Sequence, residues 1–311
     1  MATSVMKKEN NQNDHPVIVS FVIINYNNSK LTVDCVASIH EQIHAIDYEI
    51  IVVDNFSKPE DYASLKQSMP DDVVLIRSKY NGGFGAGNML GANFANGEFL
   101  LFLNNDVILT EDCVSPLCDY LRSHPEVGSI TPIQYNGKGE QARSFAHPIG
   151  ITHEIFKDRG LEKLFPKRYP DRYKILEPTR VDSVNGCFML IPSDIFWRVG
   201  GFDTNIFLYC EEYDISRRIQ RLGLCNIVYP GYRFTHLGGA STKENIVSNR
   251  KLKKELNISR FYVYRKYHNL FLSFIYRSIR FVKVIVNPRR WYLLPVMIRS
   301  EALSMSMKHK K

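Results

Sequence analysis

The sequence has no run of about 18 consecutive apolar residues, which leaves no candidate for a membrane-spanning helix. Its opening stretch, MATSVMKKENNQNDHP, lacks the apolar core of a secretory signal, and residues 1–15 are expected to form a disordered lead-in. Six cysteines lie at 35, 113, 118, 187, 210 and 225, with no Cys-x-x-Cys pair and no zinc-type spacing. They read as reduced, mostly buried thiols of a cytoplasmic protein. Asn-x-Ser sequons at Asn27, Asn55 and Asn257 are put down to chance, since nothing else points to secretion. Acids are in deficit, 32 against 40 lysines and arginines, for a net charge of +8. That balance favours anionic partners without choosing among them. The basic excess is concentrated near the C-terminus and is not interleaved with a nucleic-acid-binding motif, which argues against nucleic acid.

Two nucleotide fingerprints are also missing. The first strand ends in Asn25-Tyr26-Asn27, without the glycines of a dinucleotide site. The glycine stretch NGGFGAGN (81–88) comes later and fails on spacing, because the third glycine would have to stand at Leu90. No Gly-Lys-Ser/Thr follows any glycine loop, which excludes a P-loop.

What is present is a strong alternation of strand and helix signals. VIVSFVIINY, YEIIVVDNFS, VVLIRS and EFLLFLNNDV are apolar, β-branched runs of the kind buried on both faces of a sheet. Helical segments over about 29–44, 59–68 and 88–95 separate them. The pattern predicts an α/β domain with a mostly parallel central sheet flanked by helices. In such sheets ligands bind at the carboxyl ends of strands. Three strands end in polar clusters there: Asn25-Tyr26-Asn27, Asp54-Asn55 and Asn104-Asn105-Asp106.

Residues 134–180 are polar and irregular and are expected to form a lid or substrate-binding loop. VDSVNGCFMLIP reads as one strand and SDIFWRVGGFD as a helix capped by Ser193 and stopped by Gly200-Gly201. IFLYCEEYDISRRIQRLG reads as a helix and CNIVYPGYRFTHLGG as a last strand. From about 249 the chain becomes basic and aromatic. Apolar residues at 267, 270, 271, 274, 281, 282 and 285 share one helical face, with Arg277 and Arg280 off it. This extension is expected either to cover the core or to lie on an anionic lipid surface, and the two are compatible.

Individually the polar residues leave alternatives open. The glycines let backbone approach a ligand, or pack a tight turn. Asp54 accepts hydrogen bonds only, so it suits the N3–H of uracil or thymine, or a helix cap. Asp106, ending a long apolar run, needs a partner, and a divalent cation on a diphosphate is one. His236 is a further ligand or a structural histidine. Glu211, Glu212 and Asp214 serve a helix dipole, or one of them serves as a general base.

The series is more specific than its parts. VIINYN (22–27), VVDNFS (52–57), NGGFGAGN (81–88), FLNNDV (102–107), VNGCFMLIPSDIFWRVGGFD (184–203), FLYCEEYD (207–214) and HLGGAS (236–241) together resemble the family 2 glycosyltransferases of GT-A fold, in their rhamnosyltransferase-like branch. The resemblance implies a GT-A catalytic domain over 16–242. Its nucleotide-binding half would span 16–107, its acceptor-side half 108–242, and a helical extension 243–311. It also implies an inverting transfer of a sugar from dTDP-rhamnose or a UDP-hexose to a glycan or lipid-linked acceptor in surface polysaccharide synthesis. The rival is an inactive nucleotide-sugar-binding protein of the same fold.

Carried over residue by residue, Asn25, Tyr26, Asn27, Asp54 and Asn55 would line the nucleoside site. Asn81, Gly82, Gly83, Phe84 and Asn88 would cover the ribose and diphosphate. Asn104-Asn105-Asp106 stands where the family has Asp-x-Asp, with Asp106 and His236 as ligands of Mg²⁺ or Mn²⁺. Asn104 departs from that motif. Glu212 stands at the base position, which is usually Asp, with Glu211 as substitute. Asn185, Gly186 and Asp214 would lie on the acceptor and sugar side. Location is expected to be cytoplasmic, with residues 250–311 offering a peripheral attachment to the inner face of the membrane. Oligomeric state is not legible.

Overall fold

The β-branched run Val19–Asn25 becomes β1, paired with a parallel strand at each edge and buried on both faces by the helices that pack against the sheet. The computed structural model describes residues 18–238, 246–299 and 302–309; the expected lead-in and residues 239–241 of HLGGAS lie outside them. Tyr48–Asp54 (β2) and Val73–Arg77 (β3) extend the sheet one way and Phe99–Asn104 (β4) the other. The crossovers are the helices Ser29–Gln42 (α1), Pro59–Ser68 (α2) and Phe84–Ala92 (α3).

Side chains alternate between two cores. Phe21 and Ile23 pack with Ile39 and Leu117 on one face, while Val22 packs with Phe102, Phe196 and Phe202 on the other. Each such burial stabilises the fold by roughly 1.5–3 kcal/mol.

Helix α3 begins at Phe84, inside the glycine stretch rather than at Asn88 as expected. The reason is packing. A Cβ on Gly91 would stand 2.5 Å from Val22 and 3.1 Å from Val53, so glycine lets this helix settle directly on β1 and β2. Gly83 does different work. Its φ is +87°, and a Cβ there would lie 2.0 Å from the Phe207 carbonyl oxygen.

Beyond β4 the sheet turns mixed. The strand expected through EFLLFLNNDV breaks at a turn through Asn105 and Asp106 and resumes as Val107–Ile108 (β5). Ser115–Ser123 (α4) and Val127–Asn136 (β6) follow, then Phe145–Ala146 (β7). Ile151–Leu164 (α5) occupies the segment expected to be an irregular loop. Thr179–Val181 (β8), Ser183–Val184 (β9) and Phe188–Pro192 (β10) replace the single strand expected over VDSVNGCFMLIP.

Ser193–Arg198 (α6) is short, and Pro192 rather than Ser193 stands at its cap; Gly200 and Gly201, both with positive φ, end it as expected. Glu211–Arg221 (α7) and Cys225–His236 (β11) complete the domain. Helix α7 starts later than expected because Tyr209 and Cys210 are left-handed. Among the described residues the main sheet runs β3-β2-β1-β4-β10-β6-β11-β5, with β8 on β11.

Ile246–Tyr267 (α8) and Leu270–Ile285 (α9) follow, then a 3-10 turn and Leu294–Ile298 (α10). Helix α8 packs back on the sheet domain. Val263 packs with Ile206, Cys210 and Tyr213, and Ser259 Oγ donates to the Leu208 carbonyl at 2.8 Å.

Asp214 was expected on the acceptor side, and the structure places it otherwise. It is fully buried, 2.7 Å from both Arg218 and Lys266, and accepts from Tyr267 Oη at 2.8 Å. Its position in the first turn of α7 puts Arg218 one turn on, and α8 supplies the rest. Asp214→Ala would leave two cations without their shared acid. We expect a loss of about 3 kcal/mol in a denaturant titration; an unchanged midpoint would show that this clasp carries nothing.

Helix α9 separates its two faces. Leu270, Phe271, Phe274, Val282 and Ile285 are exposed, whereas Phe281 packs inward and Tyr267 belongs to the clasp. Arg277 and Arg280 lie off the exposed face, as expected, bonded to the Met297 carbonyl and the Glu154 carboxylate. Among the described residues no helix is long and apolar enough to cross a membrane.

Candidate active site

The carboxyl ends of β1, β2 and β3 converge with the N-terminal turn of α3, but the polar residues there bind one another first. Asn25 is fully buried. Its Nδ2 donates to Asp54 at 3.0 Å and to Asp61 at 2.9 Å, and its Oδ1 accepts from Thr32. Asn27 Oδ1 accepts from the Lys58 N–H at 2.8 Å, stitching the loop after β1 to the loop after β2. Asn55 reaches the glycine turn, donating to the Gly83 carbonyl at 3.0 Å and accepting from the Gly82 N–H at 3.2 Å. Asn81 Oδ1 accepts from the Gly83 N–H. Asn88 is buried and donates to the Phe84 carbonyl.

Asp54 has no exposed surface. Asn25 Nδ2, the Ser57 N–H at 3.2 Å and Arg77 at 3.5 Å surround its carboxylate. The expected direct reading of a base edge by Asp54 is not what this geometry displays. Here it organises the crevice floor.

The surface above that floor is aromatic. Tyr26, Phe56 and Tyr80 stand exposed at the ends of β1, β2 and β3. Phe56 was not singled out in the sequence. Its φ of +67° is uncommon for a bulky residue, and holds an exposed ring at the lip of the crevice. A flat ring in that position can stack on a base.

The turn between β4 and β5 delivers Asp106 to His236 at the end of β11, with His236 Nε2 3.0 Å from Asp106 Oδ1. Gln134, another residue the sequence did not flag, faces His236 Nδ1 at 3.1 Å, and its Oε1 accepts from Asn185 Nδ2 at 2.9 Å. Burial works against a charged imidazole, but Asp106 and Cys187 together outweigh it and lift His236 to about 10. A metal cation at this pair would compete with that proton. Asn105 turns its side-chain amide to Thr32 at 3.0 Å, away from the pair, while the Asn104 backbone N–H donates to the Cys187 carbonyl.

Among the described residues no group of three or more His, Cys, Asp or Glu side chains forms a cage. A carboxylate oxygen and an imidazole nitrogen side by side, part open, still fit a cation that draws its remaining ligands from phosphate oxygens.

The two adjacent glutamates differ sharply. Glu211 is 2% exposed, and its Oε1 has no hydrogen-bond partner. Burial and then the neighbouring Glu212 charge raise its carboxyl well above the ordinary range, so it is held protonated. Glu212 reaches part-open surface beside Gly186, where a Cβ would meet it at 3.4 Å. Desolvation raises its carboxyl too, opposed by backbone hydrogen bonds and by Arg260. One continuous run therefore links the two chemical ends: Asp106, His236, Gln134, Asn185, Gly186 and Glu212.

The profile described as Glycosyl transferase family 2 matches residues 20–200, more than half of the chain. The chain belongs to that family. This glycosyltransferase is 28% identical over 217 residues to the rhamnosyltransferase WbbL of Escherichia coli K12, covering 65% of this chain and 78% of WbbL. It is 25% identical over 158 residues to the N-acetylglucosaminyl-diphospho-decaprenol L-rhamnosyltransferase of Mycobacterium tuberculosis H37Rv, covering 49% of this chain and 51% of that one.

Among solved structures it is similar to GalNAc-T7 with UDP, GalNAc and Mn²⁺, at TM-score 0.60 and 16% identity, over 94% of this chain and 58% of the other. It is also similar to the mannosyltransferase PcManGT of Pyrobaculum calidifontis with GDP-Man and Mn²⁺, at TM-score 0.55 and 15% identity, over 94% of this chain and 75% of the other. Those likenesses establish the GT-A fold expected from the motifs. The rhamnosyltransferase relatives support the expected branch.

Proposed function

We propose that this glycosyltransferase moves a sugar, with inversion, from a nucleotide-diphospho-sugar to a hydroxyl of a glycan or lipid-linked acceptor in surface polysaccharide synthesis. The observation that carries the reading is the hydrogen-bonded run from the Asp106–His236 pair through Gln134 to Asn185, whose chain neighbour Gly186 packs beside Glu212. It sets a candidate diphosphate site and a candidate base along one wall. The two rhamnosyltransferase relatives favour dTDP-rhamnose over a UDP-hexose as donor. The exposed apolar face of α9 favours an acceptor met at an anionic membrane surface.

In this mechanism Tyr26 and Phe56 hold the base by their rings, over a floor kept rigid by Asn25, Asn55 and Asp54. Asp106 and His236 would hold a divalent cation, Mg²⁺ or Mn²⁺, which would supply neutralising charge for the departing diphosphate. Gln134 orients the His236 ring. The Glu212 carboxylate takes the proton of the acceptor hydroxyl. The acceptor oxygen then forms its bond to the anomeric carbon as the bond from that carbon to the diphosphate breaks, and the nucleoside diphosphate leaves with the electron pair. Glu211, held neutral beneath, keeps a second negative charge away from the base.

Titration calorimetry with UDP, dTDP, GDP and CDP, each with Mn²⁺ and with EDTA, tests the reading. We expect metal-dependent binding confined to dTDP or UDP. Absence of binding by all four would remove the donor site and the enzyme reading with it.

A further inference from the structure

A second cavity, of about 760 Å³, opens between α5, α8, α9 and the turn that follows α9. Eight lysines and arginines line it against a single carboxylate, Glu154. Burial would raise that acid, yet Arg280, Lys283 and Lys157 around it pull it down to about 2, so it is already spent on its neighbours. Lys253, Arg260, Arg289 and Arg290 have no ion pair with any described acid. So many cations around one space repel one another, and an anion there relieves the repulsion. Arginine forks suit phosphate oxygens in particular.

Two further features give the cavity a place in the reaction. Arg260 lines it from α8, the helix whose Val263 packs against Cys210 and Tyr213 on either side of Glu211 and Glu212. The adjacent Ser259 is tied to Leu208, in the segment that leads into Glu211 and Glu212. On its outer side the cavity is walled by α9. Arg280 and Lys283 of that helix face in, while Val282, Ile285 and Val286 face out and are exposed.

We infer that this cavity is an acceptor subsite for a phosphate or diphosphate group, distinct from the donor site at Asp106 and His236. Its acceptor carries the reacting sugar on that phosphate, so the anion seats among the cations while the sugar hydroxyl turns toward Glu212. The assignment to the acceptor rests on the transferase reading above; the anion site itself does not. An amphiphile with its head in the cavity and its chain along the exposed face of α9 fits the arrangement, and a soluble glycosyl phosphate offers the same head.

The test uses the full chain and the double variant K253Q/R289Q. Both side chains are exposed and outside the donor site, so the variant is expected to keep its melting temperature and its Mn²⁺-dependent binding of dTDP or UDP. Titration with inorganic pyrophosphate in EDTA is expected to show binding to the parent protein, weakened roughly tenfold or more in the variant. Equal binding by both proteins, or none by either, overturns the inference. Pyrophosphate binding that is lost in the variant, together with no nucleotide binding in either protein, would leave the anion site standing and bring down the transferase reading instead.

Flotation with phosphatidylcholine vesicles then separates the sources. Preference for vesicles carrying a polyprenyl diphosphate over vesicles carrying phosphatidylglycerol names a lipid head. Equal flotation, with pyrophosphate binding still lost in the variant, names a soluble phosphorylated glycan.

Discussion

Glu212→Gln is expected to lower kcat about a hundred- to ten-thousand-fold, whereas Glu211→Gln keeps activity within a few fold. The two residues are neighbours in sequence, and only their surroundings separate them. Glu212 stands at part-open surface against Gly186. A glutamine there keeps the shape and the hydrogen-bonding reach but cannot take a proton. Glu211 is enclosed, with one oxygen unpartnered and its carboxyl raised well above the ordinary range by burial and by Glu212. Its surroundings favour the neutral form, which a glutamine mimics, so the substitution is expected to change little for the reaction.

The sign of the pH effects follows. The base must be ionised, and desolvation raises Glu212, so activity is expected to fall as pH drops through a value above that of a free glutamate. For Glu211 the folded value exceeds the unfolded one. Its contribution to stability is complete below the unfolded value and is lost as pH rises through the folded one. Glu211→Gln should therefore match the parent at acidic pH and exceed it in stability at alkaline pH. Rates and denaturation midpoints for both variants across pH check this. A dead Glu211→Gln with an active Glu212→Gln would exchange the two roles.

The parallel half of the fold was legible because its signal is local. A strand buried on both faces reads as a near-continuous apolar run, as residues 21–24 of β1, 50–53 of β2 and 99–103 of β4 do. The breaks were not legible. EFLLFLNNDV and VDSVNGCFMLIP each read as one strand, yet both turn at the residues that carry chemistry, Asn105-Asp106 and Asn185-Gly186. Apolar patterning reports burial and is silent on where a strand leaves the sheet. The glycines left two readings open, a ligand loop or a tight turn. Gly91 answers to Val22 and Val53 across the helix–sheet interface, and Gly83, with its positive φ, shapes the turn.

Site residues divide along the same line. Asp106, His236 and Glu212 could be proposed because each ends or begins an element with an unusual polar side chain. Gln134 and Phe56 could not. Gln134 matters through His236, far along the chain, and no local pattern encodes that contact. Phe56 matters through a left-handed backbone that its residue type does not favour. Asp214 showed the converse. It shares its helix turn with Glu211 and Glu212, but the partner that defines it, Lys266, comes from α8.

Asp106→Asn is expected to abolish the metal dependence of nucleotide binding and to lower kcat about a thousand-fold, a loss of several kcal/mol of charge stabilisation at the departing diphosphate. The substitution keeps size and a hydrogen bond to His236 but removes the anionic oxygen. His236→Gln should act in the same direction with smaller effect, since the carboxylate remains. Gln134→Leu should cost about ten- to a hundred-fold in metal affinity, because it touches only the far side of the ring and loosens its aim. The ordering matters more than any one value. Asp106 and His236 form a pair without a third acidic or imidazole partner among the described residues, so a cation there would draw its other ligands from water and from the nucleotide diphosphate. Metal and nucleotide should then bind cooperatively, each tightening the other by the same factor. Calorimetry of Mn²⁺ alone, of dTDP or UDP alone and of the two together measures that factor directly. Cooperative binding that survives in Asp106→Asn would mean the cation sits elsewhere, and the pair at the end of β11 would revert to a structural hydrogen bond.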